Sequence, residues 1–137
     1  MAEPNRHEWE MTSPPDDVDT VHELLALVWD GSPGVSAGDR MRFETALIEL
    51  ASNVMRHADA GQGVSCTLTV DVTDEGIEAR LRDNGRPGDI ELTQIEMPDA
   101  EAESGRGLAL IHSLVDEVEY RRAADENHWR IRKEFGD

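Results

Sequence analysis

The sequence predicts an α+β fold, a two-layer sandwich in which a mainly antiparallel sheet carries helices on one face. Three observations lead there. Apolar residues recur at helical spacing in some stretches, they alternate with polar residues in others, and short turn signals join the alternating stretches into hairpins. The chain of 137 residues suits one domain with one hydrophobic core, spanning residues 1–137, and it contains no repeat and no boundary signal.

The elements follow in order. A short strand lies around His7–Met11, with Trp9 and Met11 on one face. "SPPDD" breaks it and offers N-cap residues to a helix over about Val18–Trp29, whose apolar positions Val18, Val21, Leu24, Leu25 and Val28 keep helical spacing. "DGSPGVSAGD" is a loop with a second cap at Ser36 or Asp39. A second helix runs over about Arg40–Ala58. The period then changes: Val64, Cys66, Leu68, Val70 and Val72 alternate with Ser65, Thr67, Thr69 and Asp71, which is a half-buried strand. After the turn "TDEG", Ile77, Ala79 and Leu81 alternate with Glu78, Arg80 and Arg82, so the two strands form a hairpin. "DNGRPGD" ends it, and an acidic, poorly patterned stretch runs to about Glu103. "SGRG" opens a third helix with the apolar face Leu108, Ile111, Leu114 and Val115. Val118 with Tyr120, and Trp129, Ile131 and Phe135, make a last hairpin through "AADEN".

Composition limits the function classes. Net charge is −17, from 13 basic and 30 acidic side chains. That balance opposes direct binding of nucleic acid, which clustered Lys and Arg favour. It would draw a protein partner with a basic surface, and it equally serves solubility. The longest apolar run, Leu24–Trp29, is too short to span a bilayer, and no basic leader precedes an apolar segment. One cysteine, Cys66, leaves no intrachain disulfide and fits a reducing, cytoplasmic setting.

Three places carry chemistry. On the second helix Glu49, Asn53 and His57 recur every fourth residue. With residues placed about 100° apart, Asn53 and His57 fall on the seam between the wet and the apolar face. A carboxylate and an amide carbonyl there suit a hard cation such as Mg²⁺. The same placement is also that of an ordinary amphipathic boundary. Asp83 continues the inward set Ile77, Ala79 and Leu81, so alternation turns its carboxylate towards the core, where a ligand N–H such as an adenine amine would satisfy it. Gly85 lets the backbone approach a flat ring. If the strand ends one residue earlier, Asp83 is instead a solvated turn residue. Third, the glycines of "SGRG" precede a helix, whose first N–H groups favour an anion, and Arg106 adds charge. Glycine also begins many helices that bind nothing.

With these stretches in place, the chain resembles the GHKL (Bergerat-fold) ATP-binding domains. "ELASNVMRHA" is similar to the N-box of that superfamily, "DNGRP" to its first glycine box and "GRGLAL" to its second. Spacing and length look most like the anti-sigma factor serine/threonine kinases of bacterial stress and sporulation switches, over about residues 7–135. The resemblance implies a two-layer α/β fold, ATP and Mg²⁺ as cofactors, Glu49 as general base for a serine hydroxyl, and Asn53 as the Mg²⁺ ligand. It implies that Asp83 binds the adenine amine beside Gly85. Ser104, Gly105, Arg106, Gly107 and Leu108 would form the phosphate cradle, His57 would orient the site, and residues 89–103 would form a lid. The implied function is partner switching: sequestering a sigma factor and phosphorylating a STAS-type anti-anti-sigma protein, usually as a homodimer.

Three features depart from that pattern. Glu103 stands where many of these kinases carry Arg, and a carboxylate near the γ-phosphate implies slow transfer or a cation from a partner. The lid is acidic, with Glu91, Glu96, Asp99 and Glu101. The final strand, "HWRIRKEF", has no Thr or Ser where relatives often touch adenine. Three other readings stand beside the first. One is a non-catalytic module that ATP reshapes, which Glu103 favours. Another is a switch kinase acting on a different regulator, which no residue separates from the first. The last is a plain acidic interaction domain without nucleotide, which would need three motifs to coincide by accident.

Overall fold

The structure, a computed structural model, describes residues 5–13, 17–57, 64–85 and 103–136; of residues 13, 56, 57 and 103–108 it describes the backbone alone. In chain order the elements are β1 (Asn5–Ser13), α1 (Val18–Asp30), α2 (Ala37–His57), β2 (Val64–Val72), β3 (Gly76–Asp83), α3 (Glu103–Leu114), β4 (Glu117–Ala123) and β5 (Glu126–Glu134). The strands form one sheet in the order β1-β2-β3-β5-β4, antiparallel throughout. Together with its helices the sheet makes the expected α+β sandwich.

Both helix starts are set by local side chains. Asp17 caps α1: its carboxylate accepts from the Asp19 amide at 2.9 Å, and Thr20 Oγ1 accepts from the Asp17 amide at 3.4 Å. Ser36 caps α2, accepting from the Asp39 amide at 3.2 Å. This cap starts α2 three residues before the expected Arg40 and leaves Asp39 in the first turn, where its charge favours the helix dipole. Ala58, the expected last residue of that helix, lies outside the described residues.

The core lies between the helices and one face of the sheet. Val21, Leu25 and Val28 from α1 join Phe43, Leu47 and Leu50 from α2, Ile111 from α3, and the inward strand residues Leu68, Val70, Ile77, Leu81 and Ile131. Trp29 stands edge-on to Phe43 and donates its indole N–H to Glu44 at 2.9 Å, tying α1 to α2. The β2–β3 turn requires Gly76, because a Cβ there would collide with the Lys133 carbonyl of β5. At the same end of the sheet the buried Lys133 ammonium lies 3.7 Å from Asp39 and 3.8 Å from Asp116 and donates to the Glu134 carbonyl at 2.6 Å. This paired charge fastens the start of α2 to β5. Among the described residues no helix is long and apolar enough to cross a membrane.

The opposite face of the sheet has no helix of the described set packed on it. Its residues are polar, but not all are wet as alternation expects. Thr69 is only 8% exposed, because its neighbours on β1 and β3, Glu8 and Arg80, are long enough to cover it.

Candidate functional site

Asp83 ends β3 and keeps the alternation of Ile77, Ala79 and Leu81, so it faces the helices and is 1% exposed. Its cross-strand neighbours are Cys66 on β2 and Asn127 on β5. One carboxylate oxygen, Oδ1, accepts from Asn127 Nδ2 at 2.8 Å and from the Gly85 amide at 2.9 Å. The other, Oδ2, is buried with no hydrogen-bond partner among the described residues. Burial pushes the Asp83 carboxyl above its ordinary value, against the hydrogen bonds from Asn127 and Gly85 and the nearby Arg122 charge. A buried acceptor without a donor is costly, so this oxygen is matched to a ligand that brings an N–H. The turn-residue alternative for Asp83 is thereby set aside.

Asn127 is the residue that sequence reasoning missed. It is 1% exposed, and its amide orientation is dictated by its other partners. Its Oδ1 accepts from the Tyr120 hydroxyl at 2.6 Å and from Arg122 Nη1 at 3.2 Å, which leaves Nδ2 to donate to Asp83. Arg122 Nη1 also donates to the Gly85 carbonyl at 2.8 Å, so the edge strand β4 grips the backbone just after β3. Tyr120 is held in turn by the Trp129 ring, 4.4 Å away between centroids. A search of the last strand for a hydroxyl passes over this amide. The available signal was alternation, since Asn127, Trp129 and Ile131 share the inward face.

Glu49 and Asn53 lie one turn apart on α2, which packs on β3 and β5. Asn53 is 7% exposed, whereas Glu49 is half-buried. The seam expected for Asn53 is thus corrected to a buried position. The reason is tertiary: α2 packs against α1, α3, β3 and β5, which together cover more of its circumference than its own apolar face marks out. An amide oxygen and a carboxylate one turn apart are oxygen donors of the kind Mg²⁺ takes, with phosphate and water completing its shell. They fit a shared Mg²⁺ better than a closed protein cage, and no group of three or more His, Cys, Asp or Glu side chains among the described residues could hold a metal.

The remaining candidates are placed only by their backbone. His57 is the last residue of α2, and its side chain lies outside the described residues. Ser104, Gly105, Arg106, Gly107 and Leu108 all fall within α3, which already begins at Glu103. The glycines therefore occupy the opening turn of the helix instead of preceding it. The first amides of that turn still lack intrahelical acceptors and point out of the helix start. The side chains of these five residues and of Glu103, and lid residues 89–102, lie outside the described residues.

An antiparallel sheet with helices on one face, whose strand β3 ends in a buried acceptor, makes an α+β sandwich domain. Residues 11–133 match the histidine kinase-like ATPase domain. The match spans most of the chain, and the protein belongs to that family, an ATP-binding domain of the GHKL superfamily. No curated protein matches the chain.

Proposed function

We propose that this protein is a cytoplasmic bacterial anti-sigma regulator of the serine-kinase type. It binds ATP with Mg²⁺, sequesters a sigma factor, and phosphorylates a serine or threonine on a STAS-type anti-anti-sigma protein. The observation that carries nucleotide binding is the bare, buried Asp83 Oδ2 held in register by Asn127 and Gly85. Its chemistry is that of an acceptor for an exocyclic amine. The order of the three sequence boxes supports the superfamily, and their spacing supports the anti-sigma assignment.

In this reading Asn53 and Glu49 flank the phosphates, Asn53 offering its carbonyl oxygen to Mg²⁺, and the ion when bound neutralises phosphate charge. Glu49 takes the proton from the attacking hydroxyl. The free opening amides of α3, up to Gly105, hold the phosphate oxygens with Arg106, Gly107 and Leu108 in the same stretch, and His57 orients the end of α2. Little covalent help is needed for phosphoryl transfer, so positioning and charge neutralisation suffice. Glu103 in place of the usual Arg favours a second reading, in which ATP changes the shape of a protein-binding module and transfer is absent or depends on a partner's cation.

Calorimetric titration with ATP, in Mg²⁺ and then in EDTA, tests the site. Binding that depends on Mg²⁺ and is lost in Asn53→Ala and Asp83→Ala is the expected result; wild type without binding sinks the proposal. Glu49→Ala separates the two readings, since the kinase keeps ATP and loses transfer to a serine-bearing partner recovered by pull-down, whereas the module loses little.

A further inference from the structure

The face of the sheet turned away from the helices orders its charges in a way that composition does not explain. Acidic side chains outnumber basic ones 30 to 13, yet nitrogen-bearing side chains stand side by side here. The register puts Arg82 of β3, His128 of β5 and Arg121 of β4 in one cross-strand row. In the next row Arg80 stands opposite Arg130. Like charges placed directly opposite are unfavourable in a sheet, and carboxylates are abundant enough in this chain to have separated them.

The two rows differ in how they are compensated. Arg130 is enclosed by Glu78, by Glu117 at 3.3 Å and by Glu119 at 3.1 Å. Arg80 pairs with Glu78 at 3.2 Å. The row Arg82–His128–Arg121 is open by comparison. Among the described residues Arg82 reaches only Glu126, at 3.7 Å, and the Thr67 hydroxyl, at 3.4 Å. The side chains of Arg121 and His128 have no ion pair or hydrogen bond among the described residues. Arg82 is about half exposed, at 51%. These side chains line a shallow open trough together with Thr67 and Thr69.

We propose that this row is a docking surface for an acidic segment of a protein partner. Neighbouring strands lie about 4.8 Å apart, so the two arginines at the ends of the row are separated by about 10 Å at the backbone. Carboxylates two residues apart share one face of an extended peptide about 7 Å apart, and the long arginine side chains close the difference, each able to take a carboxylate in a bidentate pair. The imidazole between them offers a further N–H. A long polyanion is disfavoured, because Glu8, Glu117 and Glu119 border the row and would repel a continuous phosphate chain. The surface lies on the opposite face of the sheet from Asp83 and does not depend on the nucleotide reading.

Fluorescence anisotropy with a labelled eight-residue serine peptide carrying two glutamates two positions apart, at low ionic strength, tests it on the full chain. Wild type binds, and the Arg82→Glu/Arg121→Glu double variant loses at least about tenfold in affinity. Arg42→Glu, which removes an exposed cation from α2, changes little. The milder Arg121→Thr, on the edge strand, shifts binding in the same direction as the double variant, and ATP titration of each variant reports whether the opposite face is intact. Absence of peptide binding by wild type overturns the proposal. So does an equal loss in Arg42→Glu, which would mark general electrostatics, or a preference for a single-stranded oligonucleotide over the peptide.

Discussion

Asp83 keeps one oxygen bonded and one bare, and this division makes a testable statement about pH. Burial raises its folded-state pKa above the unfolded value. The folded chain then holds the proton more tightly than the unfolded chain between the two values. The stability contributed is complete below the unfolded pKa and lost as pH rises through the folded one. Without nucleotide, Asp83→Asn therefore melts higher than wild type near neutral pH, and the gap narrows towards about pH 4. Thermal melts of both proteins across that range check it, and an unchanged gap would show that Asp83 is not the source. Asn127 acts on the same carboxylate from the side. Asn127→Leu removes the donor to Asp83 and the acceptor of Tyr120 and Arg122, which costs about 1–3 kcal/mol of stability. Calorimetry should show weakened ATP binding as well, and Tyr120→Phe should move both quantities the same way by less. If Asn127→Leu destabilises but leaves ATP affinity intact, its role is structural only. Strand alternation offered Asp83 as an inward residue but left a solvated turn open, and pairing with Cys66 and Asn127 decided it. Asn127 obeyed the same alternation, but its value depends on partners from β3 and β4 that no local pattern brings together.

The β4–β5 hairpin illustrates what an element owes to its neighbours. "AADEN" reads as a turn, yet it lacks the Asn-Gly or Asp-Gly pair that such hairpins prefer. Ala124 and Asp125 nevertheless adopt φ of 55° and 63°, the left-handed region a two-residue turn of this kind requires. The pairing of Ala123 with Glu126 and of Arg122 with Asn127 imposes that conformation. Ala124→Gly relieves it and should stabilise the protein by about 0.5–1 kcal/mol, after allowing for the extra freedom of glycine in the unfolded chain. Urea melts read the change, and a loss of stability would mean the turn carries no strain at Ala124. For α2 the spacing of Phe43, Leu47, Leu50 and Val54 announced a helix, and Ser36 and Asp39 were both proposed as its cap. Which of them caps it was decided by hydrogen bonds. How much of α2 is buried depends on α3, a partner about fifty residues away in the chain, so a wheel drawn from one helix left Asn53 on the seam.

Across the whole molecule the excess of acidic over basic side chains sets a global response. Self-repulsion at net charge −17 destabilises the compact state, and added salt screens it. The exposed ion pairs of the open sheet face weaken under the same salt but contribute little each. Raising the ionic strength from low to moderate should therefore raise the melting temperature by a few degrees, and a fall would mean the ion-pair network outweighs the repulsion. The sequence by itself determined the α+β class, the order of helices and strands, and the inward face of each strand, because period and turn chemistry are local properties of the chain. It also carried the boxes that mark the ATPase superfamily. Tertiary structure alone decided that Asn53 is buried, that Asn127 and Arg122 brace Asp83 and Gly85, and that Arg82, His128 and Arg121 stand in one row. The physical reason is strand register and helix packing, which join residues distant in sequence and cannot be read from any single segment.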